Sequence, residues 1–573
     1  MKKIFRTKKL LAFSLSAVMA FSVMISGCDK EQKPGTEDPK NDSVVIGNAA
    51  ITDDYKTKLP LRTAPVIEKA ADVTPTAESF TVSKVFSDDM IVQRDEYIRV
   101  WGWADASQNG KIVCAEFKGL KGSCEIKDGE WLIVLDGTLP ADANPSDFKV
   151  YGASSEVVFK DVMVGDVFMV IGQSNAAMQV SEDMNNCKQD DNFKQFVDLM
   201  KIKSTDNIRI IRNNYADVMN IPNKTTTLSK DVPHNRGWES ARKVSGVASA
   251  IGYYTAKQIV TKTNNEIPVG IIECSEGGQA LAAFMSPEVA EELNADSLNS
   301  SLNAYMAVSS NGSRETRYLF NHGLNPFMNF TISGIIWYQG ESDSYPQTLA
   351  PVYVDKLKVV IDDYRNKINQ NYHDFPVFSL EYPSTYVQPA GYTGQLQWMF
   401  MDLGEIRTYT GTETSKITNL FMAASSDLWN NKTHWNNIHP YIKWPQATRV
   451  VDMMTPIFYS NYEQSDIDEK AGPAFVKGVK TAEKEAEIVF THYGSGLKTI
   501  DGNAPKGFEV RVNGAWVAAS SVTVKDAYTV KVSHSEDFNA VRYNGNTSYF
   551  FPTDINMCNS AGVPMIAFIA EFN

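Results

Sequence analysis

The sequence predicts an α/β protein: a three-layer α/β/α domain on a central parallel sheet, set between two β-sandwich domains. Three observations lead there. Over about 161–456, short apolar runs alternate with helix-length stretches, as a parallel sheet covered on both faces requires. Short alternating strands split by Gly, Asn and Asp turns fill 80–160 and again 473–573, the pattern of antiparallel sandwiches. The 573 residues are 43% apolar and 21% charged, the composition of packed cores and not of a disordered chain.

Taken in order, the chain opens with five basic residues among its first nine: Lys2, Lys3, Arg6, Lys8 and Lys9. An apolar run from Leu10 to Ile25 follows and breaks at Ser26-Gly27-Cys28. A charged start, a greasy segment and small residues at the break read as a secretory signal. The run is shorter than the ~20 residues that span a bilayer. The break resembles a bacterial lipobox, which makes residues 1–27 the signal peptide and Cys28 the lipidated new N-terminus. Its removal takes away five positive charges and no negative ones, moving the net charge from −13 to −18. The expected product is an acidic body, lipid-anchored in the cell envelope of a bacterium and facing outside the cytoplasm. Nucleic acid is an unsuitable partner for such a charge. Residues 28–79 are expected to be a flexible tether, because 29–43 are rich in charge, Pro and Gly and lack aromatics. Five cysteines remain, too few and too odd in number for a disulfide scaffold. Cys114 and Cys124 lie on adjacent expected strands and could pair; the others read as buried thiols.

In the first β domain, Tyr97–Trp101 and Lys111–Phe117 alternate, Trp131–Leu135 is apolar, and Phe148–Tyr151 closes the set. The expected parallel strands are Val167–Ile171, Ile208–Ile211, Val269–Ile272, Gly334–Tyr338, Val377–Leu380 and Leu420–Ala424, with helices near 245–261, 351–371 and 442–454. In the last domain, Glu487–Thr491, Phe508–Val512, Tyr528–Val532, Ala540–Tyr543 and Met565–Phe572 read as strands.

Function in an open parallel sheet collects beyond the carboxyl ends of its strands. Four loops there carry polar residues that a core would not choose. In Gly172-Gln173-Ser174-Asn175, the serine leaves an apolar strand and enters a helix-like stretch. It suits a nucleophile, and equally a helix N-cap. In the second loop, Gly277-Gly278 lets backbone amides approach a ligand, or simply makes a βα turn. The third runs Trp337-Tyr338-Gln339-Gly340-Glu341-Ser342-Asp343. Glu341 and Asp343 are two positions apart, whereas glycosidase carboxylates flank the scissile bond from separate elements, which argues against that chemistry. The fourth holds His434 and His439. With seven histidines in the chain, His439 stands best placed as a general base, with His322 and His434 as supporting groups. Zinc is disfavoured, since no carboxylate lies nearby at ligand spacing.

Together, and in this order, these motifs resemble the sialate O-acetylesterase family within the SGNH class of serine esterases. The likeness begins at Phe86–Asp95 and Val100–Ala104. It runs through Val164–Val167 into Gly172–Asn175, then Gly277-Gly278, Asn321-His322-Gly323, Trp337–Ser342 and Ile438-His439-Pro440. It ends at Gly507–Val510 and Ala540–Tyr543. The resemblance implies an SGNH-type fold, Ser174 as nucleophile and His439 as general base. It implies oxyanion donors from the backbone of Ser174 and of Gly277 or Gly278, with Gln173, Asn321, Gln339 and Gly340 in the same pocket. No metal and no cofactor are implied. The substrate would be an O-acetylated carbohydrate, either sialic acid or an acetylated polysaccharide such as xylan. A noncatalytic glycan-binding lipoprotein is the reading from a different class. One departure stands out: many SGNH esterases carry an aspartate three residues before the histidine, and here that residue is Asn436. Where the acid is essential, an Asp→Asn change costs about 10⁴ in kcat. Asp427 or Glu341 could supply the carboxylate instead, a Ser–His dyad could suffice, or the enzyme could be weak or inactive.

Overall fold

The computed structural model describes residues 72–189, 194–201, 203, 207–213, 221–244, 246–297, 300, 315–343, 353–368, 375–381, 417, 419–428, 439, 442–463, 467–545 and 551–572. One strand organises much of it. Glu156–Gly172 runs for 17 residues and is buried almost throughout its second half. Its first part pairs antiparallel with Asp142–Tyr151. Its last part pairs in parallel with Val269–Ser275 on one side and Gly334–Tyr338 on the other. Ile208–Arg212 extends the sheet outward on the first side, and Val377–Leu380 then Leu420–Ala423 extend it on the second. Each of the six apolar runs is thus a parallel strand. A short antiparallel strand, Glu239–Ser240, caps the Ile208–Arg212 edge.

Helices meet this sheet on both faces, as two neighbouring residues show. Successive strand side chains point to opposite faces. The Trp337 indole donates to Tyr353 Oη on helix Tyr353–Ile368, 3.1 Å away. Next in sequence, the Tyr338 hydroxyl takes a 3.0 Å hydrogen bond from Gln446 on helix Lys443–Phe458. Helix Ala250–Lys262 packs beside Lys443–Phe458. Ser249 caps it by accepting from the Gly252 N–H, one of the orphan donors at a helix start.

In the N-terminal β region, Thr81–Val82, Arg99–Trp103 and Glu130–Val134 form one antiparallel sheet. Ile112–Phe117, Leu120–Glu125 and Asp142–Tyr151 belong to a second sheet that includes the long strand. The two approach closely: a Cβ on Gly122 would lie 2.5 Å from Ile133 Cγ2. The boundary expected at 160/161 therefore falls inside a continuous strand, and buried apolar residues form one connected core from Ala77 to Ala567. The expected tether also reached residue 79, but Thr76 and Ala77 already donate backbone hydrogen bonds to Ile112. A bridge between Cys114 and Cys124 does not form, and both are free thiols. The register explains it: Cys124 sits opposite Val113 and Cys114 opposite Ser123, so the two thiols leave the sheet on opposite faces.

The C-terminal region has two four-stranded antiparallel sheets and a two-stranded ribbon. Phe475 of one sheet stacks on Phe568 of the other at 5.3 Å between ring centroids, and Phe490 meets the same ring edge-on.

At the amino edge of the parallel strands a buried polar cluster joins distant segments. Arg94 Nε donates to Asp166 Oδ1 at 2.8 Å. Ser333 Oγ and Tyr459 Oη donate to the same carboxylate at 2.7 and 2.9 Å.

Candidate active site

The opposite, carboxyl edge brings the candidate residues together. The long strand ends at Gly172, where the chain passes very close to its neighbour. A Cβ there would lie 2.1 Å from the Tyr338 carbonyl oxygen, so only glycine fits. The turn that follows is held from several sides. Gln173 N–H donates to Tyr338 O at 3.1 Å, Glu276 N–H to Gly172 O at 3.0 Å, and Ser249 Oγ to Ala176 O at 2.6 Å. Ser174 begins the short helix Ser174–Ala177 and its side chain is half-buried.

Ser174 Oγ lies 2.7 Å from His439 Nε2, although 265 residues separate the two. His439 is held well below the usual imidazole range, at about 4, first by burial and then by the charge of Lys443. A neutral imidazole at this distance can accept the serine proton, the geometry that general-base activation needs. Gly277 lies beside the serine, since a Cβ built on it would sit 3.8 Å from Ser174 Cβ. Gly278 has φ +69°, in the left-handed region that favours glycine. This turn brings backbone close to the serine.

The other expected pocket residues divide. Gln173 Oε1 accepts from Ser342 N–H at 3.1 Å and lies 3.5 Å from both Gly340 N and Gln339 Nε2. Gln339 Nε2 donates to Gln279 O at 3.0 Å and Asp343 Oδ2 at 2.6 Å, while its Oε1 accepts from Tyr353 Oη at 2.8 Å. Both glutamines are buried and tie the sheet-edge loops to each other, so the expectation that these side chains line the pocket is corrected. Gly340 takes φ +138° in the same tie. Asn321 is buried in the turn Phe320–Leu324 and donates to Lys224 O at 2.9 Å, which fastens the 224 loop. His322 contacts Ser229 through Nδ1 there.

The two candidate acids have other partners in the hydrogen bonds described. Asp427 Oδ2 accepts from Arg449 at 2.5 Å. Glu341 Oε1 accepts from Asn175 Nδ2 at 2.6 Å, and burial raises its carboxyl to about 7 against the pull of that bond. Asn436, His434 and the lipobox cysteine Cys28 lie outside the described residues.

A group that drew no role from the sequence completes the site. Lys443 is buried, and its Nζ donates to Asn175 Oδ1 at 2.6 Å. Asn175 therefore bridges Glu341 and Lys443 directly beside the serine. The available signal was a lysine four residues after His439, opening an amphipathic helix where a buried cation is out of place. Among the described residues, no cluster of His, Cys, Asp or Glu could hold a metal ion, and no helix is long and apolar enough to cross a membrane.

Comparison with known proteins points to carbohydrate esterases. Residues 164–437 match the family described as carbohydrate esterase, sialic acid-specific acetylesterase. Its relatives include the human sialate O-acetylesterase, 24% identical over 388 residues that cover 65% of this chain and 69% of that one. The Pongo abelii sialate O-acetylesterase is 23% identical over 390 residues, with the same coverage. A carbohydrate acetylesterase structure from Xanthomonas citri superposes with a TM-score of 0.66 at 21% identity, covering 86% of this chain and all (100%) of that one. That likeness establishes a shared fold.

Proposed function

We propose that this protein removes acetyl groups from O-acetylated carbohydrates through an acyl-serine intermediate, on an SGNH-type α/β/α domain flanked by β-sandwich domains. The observation that carries the reading is the 2.7 Å contact between Ser174 Oγ and His439 Nε2 at the carboxyl edge of the parallel sheet. Ser174 attacks the ester carbonyl while His439 takes its proton. The tetrahedral oxyanion is met by backbone N–H groups of Ser174 and of the Gly277-Gly278 turn. His439 then protonates the departing sugar hydroxyl, leaving acetyl on the serine. Water, activated by the same imidazole, releases acetate and restores the free hydroxyl. Neither step requires a metal.

The family and its sialate esterase relatives support an acetylated sugar as substrate. Purified protein lacking residues 1–27 is expected to release acetate from O-acetylated glycans. Ser174→Ala should lower kcat/KM by about 10⁴ or more, while retained activity would remove the serine from the mechanism. Assaying O-acetyl sialic acid beside acetylated xylan identifies the preferred sugar. Absence of activity on both, with glycan binding intact, would favour a binding lipoprotein. In the cell we place the protein on the outer side of a bacterial membrane, tethered through lipidated Cys28. Cys28→Ser should shift it from the membrane fraction to the soluble fraction; membrane retention in that variant would exclude the anchor.

A further inference from the structure

A cation and a carboxylate lie buried behind the Ser174–His439 pair, and the acyl-serine reading above uses neither. Lys443 is fully buried on the helix that begins four residues after His439. Its Nζ bonds the Asn175 side chain at 2.6 Å, and the Asn175 amide bonds Glu341 at 2.6 Å. The ammonium also stands 4.9 Å from the centroid of the Tyr338 ring, whose backbone carbonyl holds the nucleophile turn. The Lys443 N–H donates to Asp183 at 3.0 Å. Asp183 in turn faces Tyr254 and Glu182. These charged and titratable groups surround Lys443 from the turn, the third loop and the helices Val180–Gln189 and Ala250–Lys262.

Burying an ammonium is expensive unless it is paired and hydrogen-bonded. The Lys443 side chain bonds the serine turn at Asn175, which in turn bonds Glu341 of the third loop, and its backbone N–H bonds Asp183. We propose that Lys443 is a positioning residue: locked to the nucleophile turn through Asn175, its charge keeps the His439 imidazole unprotonated and ready to accept the Ser174 proton in acidic surroundings. The inference rests on the acyl-serine reading. It describes a different way of controlling the base from that of an orienting aspartate. An aspartate raises the basicity of the ring and stabilises the imidazolium; a lysine does the reverse. The result is a weaker base that stays in its working form to lower pH.

The surrounding charges favour this in acid. Glu341, the anion linked to Lys443 through Asn175, is pushed up to about 7 by burial, so it neutralises before His439 takes a proton. The cation then acts on the ring with less opposition. Burial itself lowers Lys443, while Asp183, Glu341 and Glu182 oppose that fall.

Two measurements test the proposal. The first is the pH dependence of kcat/KM for acetate release from a neutral acetyl ester. Wild type should keep its activity well below the ~6.5 of an ordinary imidazole. In Lys443→Met the acid limb should move up by about one pH unit or more, and Lys443→Arg, which keeps the charge, should hold it low. A Lys443→Met limb superimposed on that of wild type would overturn the proposal, as would a loss uniform across pH. The second is an NMR titration of His439 in the Ser174→Ala protein, assigned by the signal lost in His439→Asn. It requires no activity, and its first reading needs no substitution at Lys443. A midpoint near 6.5 overturns the proposal even where Lys443→Met fails to fold. A low midpoint that rises in Lys443→Gln supports it. An inactive wild type with a low His439 midpoint that rises in Lys443→Gln would reject the acyl-serine reading and leave the Lys443–His439 coupling standing.

Discussion

Gln339 donates to the Gln279 carbonyl and the Asp343 carboxylate and accepts from Tyr353, so one buried amide joins three segments. Gln173 does the same between the serine turn and the third loop. Such side chains act on the reaction through stability and position. Truncating Gln339 would leave the Asp343 carboxyl, already raised to about 6 by burial, short of a donor. Gln339→Ala should therefore lower the unfolding free energy by about 1–3 kcal/mol, read from urea unfolding. The deficit should be larger at pH 8 than at pH 5. A carboxyl raised in the folded state stabilises below its unfolded value, and that contribution is lost as pH rises through the folded one. Removing a donor to the ionised form raises it further.

Ser174 and His439 were legible in the sequence because each follows or precedes a strong local signal: an apolar strand before the serine, a scarce residue type for the base. Asn175 and Lys443 were not. Their meaning comes from a hydrogen bond spanning 268 positions, and neither residue type is unusual in its own neighbourhood. Glutamines beside the serine looked like pocket residues for a related reason: polarity in a loop is visible in a sequence, but the partner that consumes it is not.

At the scale of elements, the edge of the nucleophile strand is set by the absence of a side chain. Gly172 lies against Tyr338 O so closely that any Cβ would force the two parallel strands apart. Gly172→Ala should cost about 3 kcal/mol and lower kcat with it, because the Ser174 turn hangs on the Gln173–Tyr338 bond. A thermal unfolding midpoint equal to that of wild type would contradict this. The six parallel strands were readable because each is an apolar run too short for a helix. The cysteine pair was misread, because adjacency of strands says nothing of face until the register is known.

For the molecule as a whole, the amino edge of the sheet matters as much as the carboxyl edge. Asp166 collects Arg94, Ser333 and Tyr459, drawing the β region, the entry to strand Gly334–Tyr338 and the end of helix Lys443–Phe458 to one carboxylate. Asp166→Ala leaves Arg94 facing a buried vacancy. It should lower stability by about 3–5 kcal/mol, with little dependence on salt, since a buried pair is weakly screened. Circular dichroism melts at low and high ionic strength would check both parts. The sequence placed a domain boundary at residue 160 because strand-rich and alternating patterns change there. The change is one of partners along a single strand, from antiparallel to parallel, which a local pattern does not reveal.

That strand also works as a ruler. From Asp166 to the strand's end at Gly172 is six steps, about 20 Å of extended chain, with the staple at one end and the Ser174 turn at the other. Upstream, the pairing of Asp142–Tyr151 already absorbs irregular register between Asp142 and Phe148, so an extra residue there can be taken up as another bulge. Downstream there is no such slack, and an added residue would reverse every face up to the turn. An alanine inserted after Asp147 should leave acetate release nearly intact, whereas one inserted after Val167 should abolish it. Variation in the length of this chain is thus permitted on one side of Asp166 and forbidden on the other.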